Sequence, residues 1–118
     1  MAKPKEFSFL TPWEEIPDSS EGRKRADRLL SELKREIPSN HLLGGLSLTA
    51  IATRRDQDDV LFEIAGTEEK LAVVHLTGRK ETDPRWPRTQ FFTSWQQWSE
   101  TGMIPDHEDF TCGDTPWW

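Results

Sequence analysis

The chain has 118 residues, of which 34% are hydrophobic and 31% charged, and its formal net charge is −6. One domain, residues 1–118, fits this length, and the acidic charge disfavours nucleic acid and anionic membranes as partners because both repel it at long range. Cys112 is the single cysteine, which excludes an internal disulfide and a zinc site built from several thiolates.

The first segment is rich in proline. Prolines at positions 4, 12 and 17 exclude one regular element over residues 1–17. The segment is nevertheless too apolar for a solvated tail, so we expect residues 6–10 to run extended and Trp13 to attach the segment to the body.

A helix is predicted next. Asp18, followed three residues later by Glu21, is typical of a capping box at a helix N-terminus. Apolar residues at spacings of 3, 1, 3 and 4 form one stripe along this helix, and Pro38 ends it. The stripe comprises Ala26, Leu29, Leu30, Leu33 and Ile37.

Three strands are predicted after this helix. Residues 46–53 alternate apolar and polar side chains, with Ile51 as the exception. Residues 60–64 alternate in the same way, and residues 71–76 are apolar enough for a central strand. The connections between them are short polar turns, which predicts an antiparallel meander.

The last third of the chain is predicted to be a long loop followed by a short helix. Residues 78–90 are polar and interrupted by proline, and Phe91 and Phe92 could add a short strand. Ser94-x-x-Gln97 is a second capping box, opening a helix through position 100 that Gly102 and Pro105 end. An irregular tail is expected from position 106. The predicted fold is therefore α+β, with an antiparallel sheet of three to four strands, a long N-terminal helix across one face and a short C-terminal helix.

Two features predict a surface that binds protein. Asp56, Asp58 and Asp59 crowd one hairpin turn, where an acidic tip could engage a basic protein, although many such turns are only hydrated. Tryptophan occurs six times, and it is enriched at interface hot spots. We assign Trp95 to the core, and the remaining candidate contact residues are Trp86, Trp117 and Trp118. The alternative for the terminal pair is that it docks the tail against the body.

An enzyme is the alternative interpretation. His75 lies in the central strand candidate, on the face opposite the predicted core stripe, and His107 lies within an acidic run at 106–109. A small hydrolase or metal-dependent enzyme would need His75 to converge with His107, or His107 with several carboxylates, in one cleft. The run lacks the spacing of a zinc-protease helix, and no serine sits in a nucleophile elbow. We therefore predict no catalytic, metal or cofactor site.

The first helix is also the densest basic region of the chain. Basic side chains there could contact phosphates, but acidic residues lie among them at spacings that pair on a helix surface, as Glu21 does with Arg25. No glycine-rich phosphate loop accompanies them. Nucleic-acid binding is therefore the third interpretation, behind a salt-bridged, solvated helix face.

The second half of the chain carries a resemblance. The strand ending in His75-Leu76-Thr77, the loop Trp86-Pro87-Arg88-Thr89, and the downstream Phe91, Ser94, Trp98 and residues 103–106 are similar to the C-terminal half of a family of small uncharacterised bacterial proteins. The resemblance implies structural rather than catalytic roles for these motifs. In size and acidity the chain is also similar in character to immunity proteins, which neutralise toxins.

Together these patterns favour a non-catalytic protein-binding module, immunity-like in character, with a basic partner. The start of the chain lacks the apolar core of a signal peptide, and no apolar run reaches membrane-spanning length. We therefore expect a cytoplasmic protein.

Overall fold

The computed structural model describes residues 3–4 and 7–112. Its elements follow one another as β1 (Trp13–Glu15), α1 (Ser20–Glu36), β2 (Ser47–Arg54), β3 (Asp59–Ala65), β4 (Leu71–His75), β5 (Arg88–Phe92), α2 (Trp95–Trp98), a π-helical turn (Ser99–Met103) and α3 (Ile104–Cys112). The predicted contact residues Trp117 and Trp118 lie outside the described residues.

The fold is α+β, and its strands form one antiparallel sheet in the order β1-β2-β3-β4-β5. The meander of β2, β3 and β4 is as predicted, but the sheet has five strands, so the prediction of three to four was wrong. The additional strand is β1, in which Trp13 pairs with Arg54. Three residues are too few to show an alternation, and they become a strand because the outer edge of β2 is open to pairing.

The first helix packs its apolar stripe across one face of the sheet. Leu33 is fully buried there, against a core that includes Val60, Phe62 and Val74. With 17 residues, α1 is of ordinary length, since helices of globular proteins typically run about 8–20 residues. The prediction of a long helix was therefore wrong.

The N-cap of α1 is one residue later than predicted. The hydroxyl of Ser19, not the carboxylate of Asp18, accepts a hydrogen bond from the Gly22 N–H at 3.1 Å. Asp18 instead accepts a bond from the Arg23 guanidinium at 3.0 Å. Serine and aspartate are about equally good caps, so adjacent candidates are hard to separate from sequence.

The exception in the predicted alternation of β2 is a bulge. Ala50 pairs with Phe62 while Ala52 pairs with Leu61, so Ile51 has no register partner on β3. A bulge adds one residue to one strand of a pair, so the alternation continues beyond it with the two faces exchanged: Ala50 belongs to the core under α1, whereas Ala52 belongs to the core on the other face. Arg54, two residues beyond Ala52, therefore lies on the face opposite α1.

Aromatic side chains dominate the core on that second face. Trp13, Trp95 and Trp98 are all buried there, as expected for Trp95. Within the described part of the chain, the indole nitrogens of Trp95 and Trp98 have no hydrogen-bond partner. Trp98 meets Trp13 nearly edge-on, with centroids 5.3 Å apart, and Trp95 meets Phe7 at 4.9 Å. Edge-to-face rings of this kind stabilise one another and place N–H groups near π faces.

The C-terminal helix is longer than predicted. Ser94 caps it as expected, accepting from the Gln97 N–H at 3.0 Å, but the helical chain continues to position 112. The Ile104 N–H bonds to the Ser99 carbonyl, five residues back. Because Pro105 has no N–H and its ring crowds the preceding helical turn, this wider π turn lets the helix pass a residue that would otherwise break it.

Candidate binding surface

Four of the predicted contact residues lie at one end of the sheet. In β3 and β4, Asp59 pairs with His75, and His75 pairs in turn with Arg88 of β5. The β2–β3 turn, the end of β4 and the start of β5 therefore share this end, which we call the turn end. Asp56, Asp58 and Asp59 lie in or beside the β2–β3 turn, and Trp86 lies two residues before β5.

Arg54 forms ion pairs with two of the three aspartates of the acidic turn. The Arg54 side chain is only 10% exposed, and its guanidinium lies 2.8 Å from Asp56, 3.9 Å from Asp59 and 3.3 Å from Asp106. We call these four residues the Arg54 cluster. Asp58 is exposed, and its carboxylate has no ion pair among the described residues. Asp58 is therefore the member of the predicted acidic tip that is left free.

Residues 106 and 107, predicted to begin an irregular tail, instead attach α3 to the N-terminal segment. The Trp13 indole donates a hydrogen bond to the Asp106 carboxylate at 2.9 Å, and the His107 imidazole donates to the Thr11 carbonyl at 2.6 Å. His107 is thus held by a backbone group that cannot act in proton transfer. Sequence reasoning missed these contacts because their partners lie more than 90 positions apart.

Trp86 is exposed on a well-fixed turn. Trp86 is 39% exposed, and its backbone N–H donates to the Asp83 carbonyl at 3.0 Å. The Asp83 carboxylate accepts from the Arg85 N–H at 2.9 Å and from its guanidinium. These bonds to Arg85 lower the pKa of Asp83 to about 2, so the turn keeps its ion pair through neutral and mildly acidic pH.

A second loop, which carries the exposed Leu42, is hydrogen-bonded to the residue that follows Trp86. His41 is buried, accepts from the Leu43 N–H at Nδ1 (3.0 Å) and donates from Nε2 to the Pro87 carbonyl (3.0 Å). Leu42 follows His41 in the chain, and Trp86 precedes Pro87. Leu42 is 68% exposed, and these two are the large apolar residues exposed within the described part of the chain. Sequence analysis missed Leu42, because only one of two adjacent leucines in a loop is buried.

Glu36 attaches the start of the Trp86 loop to the end of α1. Its carboxylate is fully buried and accepts from the Thr77 N–H at 2.7 Å, the Thr77 hydroxyl at 3.1 Å and the Gly78 N–H at 2.9 Å. Burial, followed by a hydrogen bond with Glu32, raises the pKa of Glu36 above its ordinary value. In the sequence, Glu36 is only the last residue of a helix that ends before Pro38, and nothing nearby predicts that it binds Thr77 and Gly78.

The raised pKa gives a signed prediction for the pH dependence of stability. A carboxyl group with a higher pKa in the folded state stabilises the fold most below its unfolded value, here 4.5, and that contribution is lost as the pH rises through the folded pKa. The free energy of unfolding of the wild type, relative to Glu36→Gln, should therefore increase on acidification from neutral pH towards 4.5. Urea unfolding of both proteins across this range measures the difference. If the free energy of unfolding of the wild type minus that of Glu36→Gln fell on acidification, the prediction would be contradicted.

The two histidines of the enzyme interpretation have different partners. The Nδ1 atom of His75 lies 2.5 Å from the Asp59 carboxylate, whereas His107 bonds to Thr11. Among residues 3–4 and 7–112, the structure brings no three His, Cys, Asp or Glu side chains together in a group that could hold a metal ion.

Three of the six basic side chains of α1 form ion pairs, and a fourth, Arg25, bonds to a hydroxyl group. Arg23 pairs with Asp18, Lys24 with Glu21 and Arg35 with Glu32. The predicted pairing of Glu21 with Arg25 was wrong, because Arg25 donates to the Thr53 hydroxyl at 3.1 Å. A continuous unpaired basic stripe, which nucleic-acid binding would need, is not formed by these residues.

Comparisons with known proteins place the chain in no family. No family model, no curated protein and no solved structure matches it. The resemblance of its second half to small bacterial proteins stays a prediction. In the part of the chain that the structure describes, no helix is long and apolar enough to cross a membrane.

Proposed function

We propose that the chain, as one cytoplasmic domain of residues 1–118, is a non-catalytic protein-binding module of immunity-like character. Its contact surface lies at the turn end of the sheet, and its partner is a basic protein. The observation that carries this proposal is the exposure of Trp86 and Leu42 on two loops that are hydrogen-bonded to each other.

Rigid, exposed aromatic side chains are the usual anchors of protein interfaces. A tryptophan contributes a large contact area, and little conformational entropy is lost when its backbone is already fixed. The bonds from Asp83 and His41 fix the backbone on both sides of Trp86. Leu42 is exposed on the loop that bonds to Pro87, the residue after Trp86.

The charge of the chain supports a basic partner. The net charge of −6 attracts a cationic protein at long range and raises its association rate. At the turn end, Asp58 is the aspartate free to make a new ion pair, because Asp56 and Asp59 already contact Arg54. Trp117 and Trp118 remain candidate contacts outside the described residues.

Site-specific photocrosslinking in the cells of origin tests this proposal. A photoreactive phenylalanine analogue at position 86 or 42 should give one discrete adduct with the same basic protein, which mass spectrometry identifies. The matched control is position 68, which is exposed in the β3–β4 turn at the opposite end of the sheet and should give no such adduct.

Binding of the identified partner then has a defined expectation. Trp86→Ser should weaken it about 30-fold or more, since hot-spot truncations cost about 2 kcal/mol or more. Asp58→Asn should mainly slow association and reduce its salt dependence. Equal adducts at positions 68 and 86, or unchanged affinity in Trp86→Ser, would overturn the proposal.

A further inference from the structure

A groove on the sheet face opposite α1 is lined mainly by polar side chains, several of which make no hydrogen bond or ion pair among the described residues. It is shallow, encloses about 510 Å³, and lies over the ends of β3, β4 and β5. Its lining comprises Gln57, Asp59, Val73, His75, Arg88, Thr89 and Gln90. It lies beside the Arg54 cluster, to which Asp59 belongs, and does not include Trp86 or Leu42.

His75 lines this groove, and Asp59 orients its ring. Asp59 holds its Nδ1 atom at 2.5 Å, and the Asp59 side chain, only 13% exposed, is in turn next to the Arg54 guanidinium. The imidazole ring is therefore fixed, and its Nε2 atom makes no hydrogen bond within the described residues. Because the hydrogen bond at Nδ1 orients the ring, Nε2 is available to bind a ligand.

The neighbouring donors are unused as well. Arg88 pairs directly with His75 across the strands, so the two side chains project from adjacent positions on the same face. The side chains of Arg88, Gln57 and Gln90 are exposed and make no hydrogen bond or ion pair among residues 3–4 and 7–112. The nearby carboxylates of Asp56 and Asp106 are ion-paired with Arg54 rather than with Arg88.

We propose that this groove binds a phosphate-class oxyanion. Arg88 presents two parallel N–H donors, which match two oxygens of a phosphate group, and the Gln90 amide can donate to a third. The His75 Nε2 atom either accepts from a protonated phosphate oxygen or, as imidazolium, donates to an ionised one. Asp59 acts as a positioning residue, because it contacts the imidazole and not the ligand.

Chemical-shift titration of the whole chain tests this site, with inorganic phosphate as the probe and chloride at matched ionic strength as the reference. Saturable shifts are expected at His75 Nε2 and at the amides of residues 88–90. Arg88→Gln should weaken binding about tenfold or more, as expected for loss of a charge-assisted bidentate contact. A phosphate monoester titrated in parallel distinguishes a free phosphate ligand from a phosphate carried on a larger molecule.

The matched control is Arg28→Gln, which removes the same charge from an exposed position on α1. It should leave the phosphate affinity within about twofold of the wild type, because salt largely screens the interaction between a phosphate in the groove and a charge on the other face of the sheet. Asp59→Asn should broaden or move the His75 signals and weaken binding while Arg88 is intact. Non-saturating shifts with both phosphate probes, or equal losses in the Arg28 and Arg88 variants, would overturn the proposal.

Discussion

Replacing Gly22 with alanine is expected to destabilise the fold by about 3 kcal/mol, the upper end of the usual range for overpacking. A Cβ atom at this position would lie 1.8 Å from the carbonyl oxygen of Pro17 and 2.8 Å from its carbonyl carbon. Both atoms belong to the backbone, so no side-chain rotation can relieve the clash. The first turn of α1 would have to move away from the segment that follows β1.

The sign of this effect is opposite to that given by helix propensity. Within a helix, replacing glycine with alanine normally stabilises the protein by about 1 kcal/mol. Helix propensity alone therefore predicts that Gly22→Ala increases the stability. Urea denaturation of the wild type and of Gly22→Ala measures the difference. The midpoint should fall at an unchanged slope, since the surface exposed on unfolding stays the same.

Gly66→Ala is the matched control for the glycine substitution. Gly66 has φ +82 and no atom within 4 Å of its added Cβ, so this change should cost only the strain of a left-handed alanine, about 1–2 kcal/mol. If Gly22→Ala proved as stable as the wild type, the close approach of α1 to Pro17 would be wrong. That result would also question the way α1 lies on the sheet.

The sequence predicts those parts of the fold that depend on local pattern. The stripe containing Leu33, the cap at Ser94 and the meander each arise within about 30 consecutive residues, where periodicity and turn chemistry act. The bulge at Ile51 was visible as an exception to an alternation, although its meaning required the register of β3. Local signals of this kind locate helices and strands along the chain, but they do not determine which other elements each one packs against.

The parts that could not be predicted depend on contacts between distant segments. Trp13–Glu15 becomes a strand only because β2 offers it an edge, and Pro105 lies within a helical chain only because the preceding turn is wide. The same holds for the candidate site. Asp56 and Asp59 look like a free acidic tip in the sequence, whereas in the structure Arg54 and Asp106 change their electrostatic environment.

Arg54→Met is expected to lower the free energy of unfolding by about 3 kcal/mol, as is typical when one partner of a buried ion pair is removed. The change leaves three carboxylates near one another without the guanidinium that they share. It also frees α3 from its ion pair with the sheet, leaving Asp106 only its bond from the Trp13 indole. Methionine keeps most of the side-chain volume, so packing loss contributes little.

A double-mutant cycle separates this electrostatic effect from packing. Adding Asp106→Asn to Arg54→Met should recover part of the lost stability, because it removes one uncompensated charge while the asparagine oxygen still accepts from Trp13. Arg23→Met is the matched control, since the Arg23 side chain is 67% exposed and its partner Asp18 is 96% exposed. Exposed pairs contribute about 0–1 kcal/mol. Equal small losses for Arg54 and Arg23 would show that the cluster is solvated and that the acidic turn is as free as the sequence suggests.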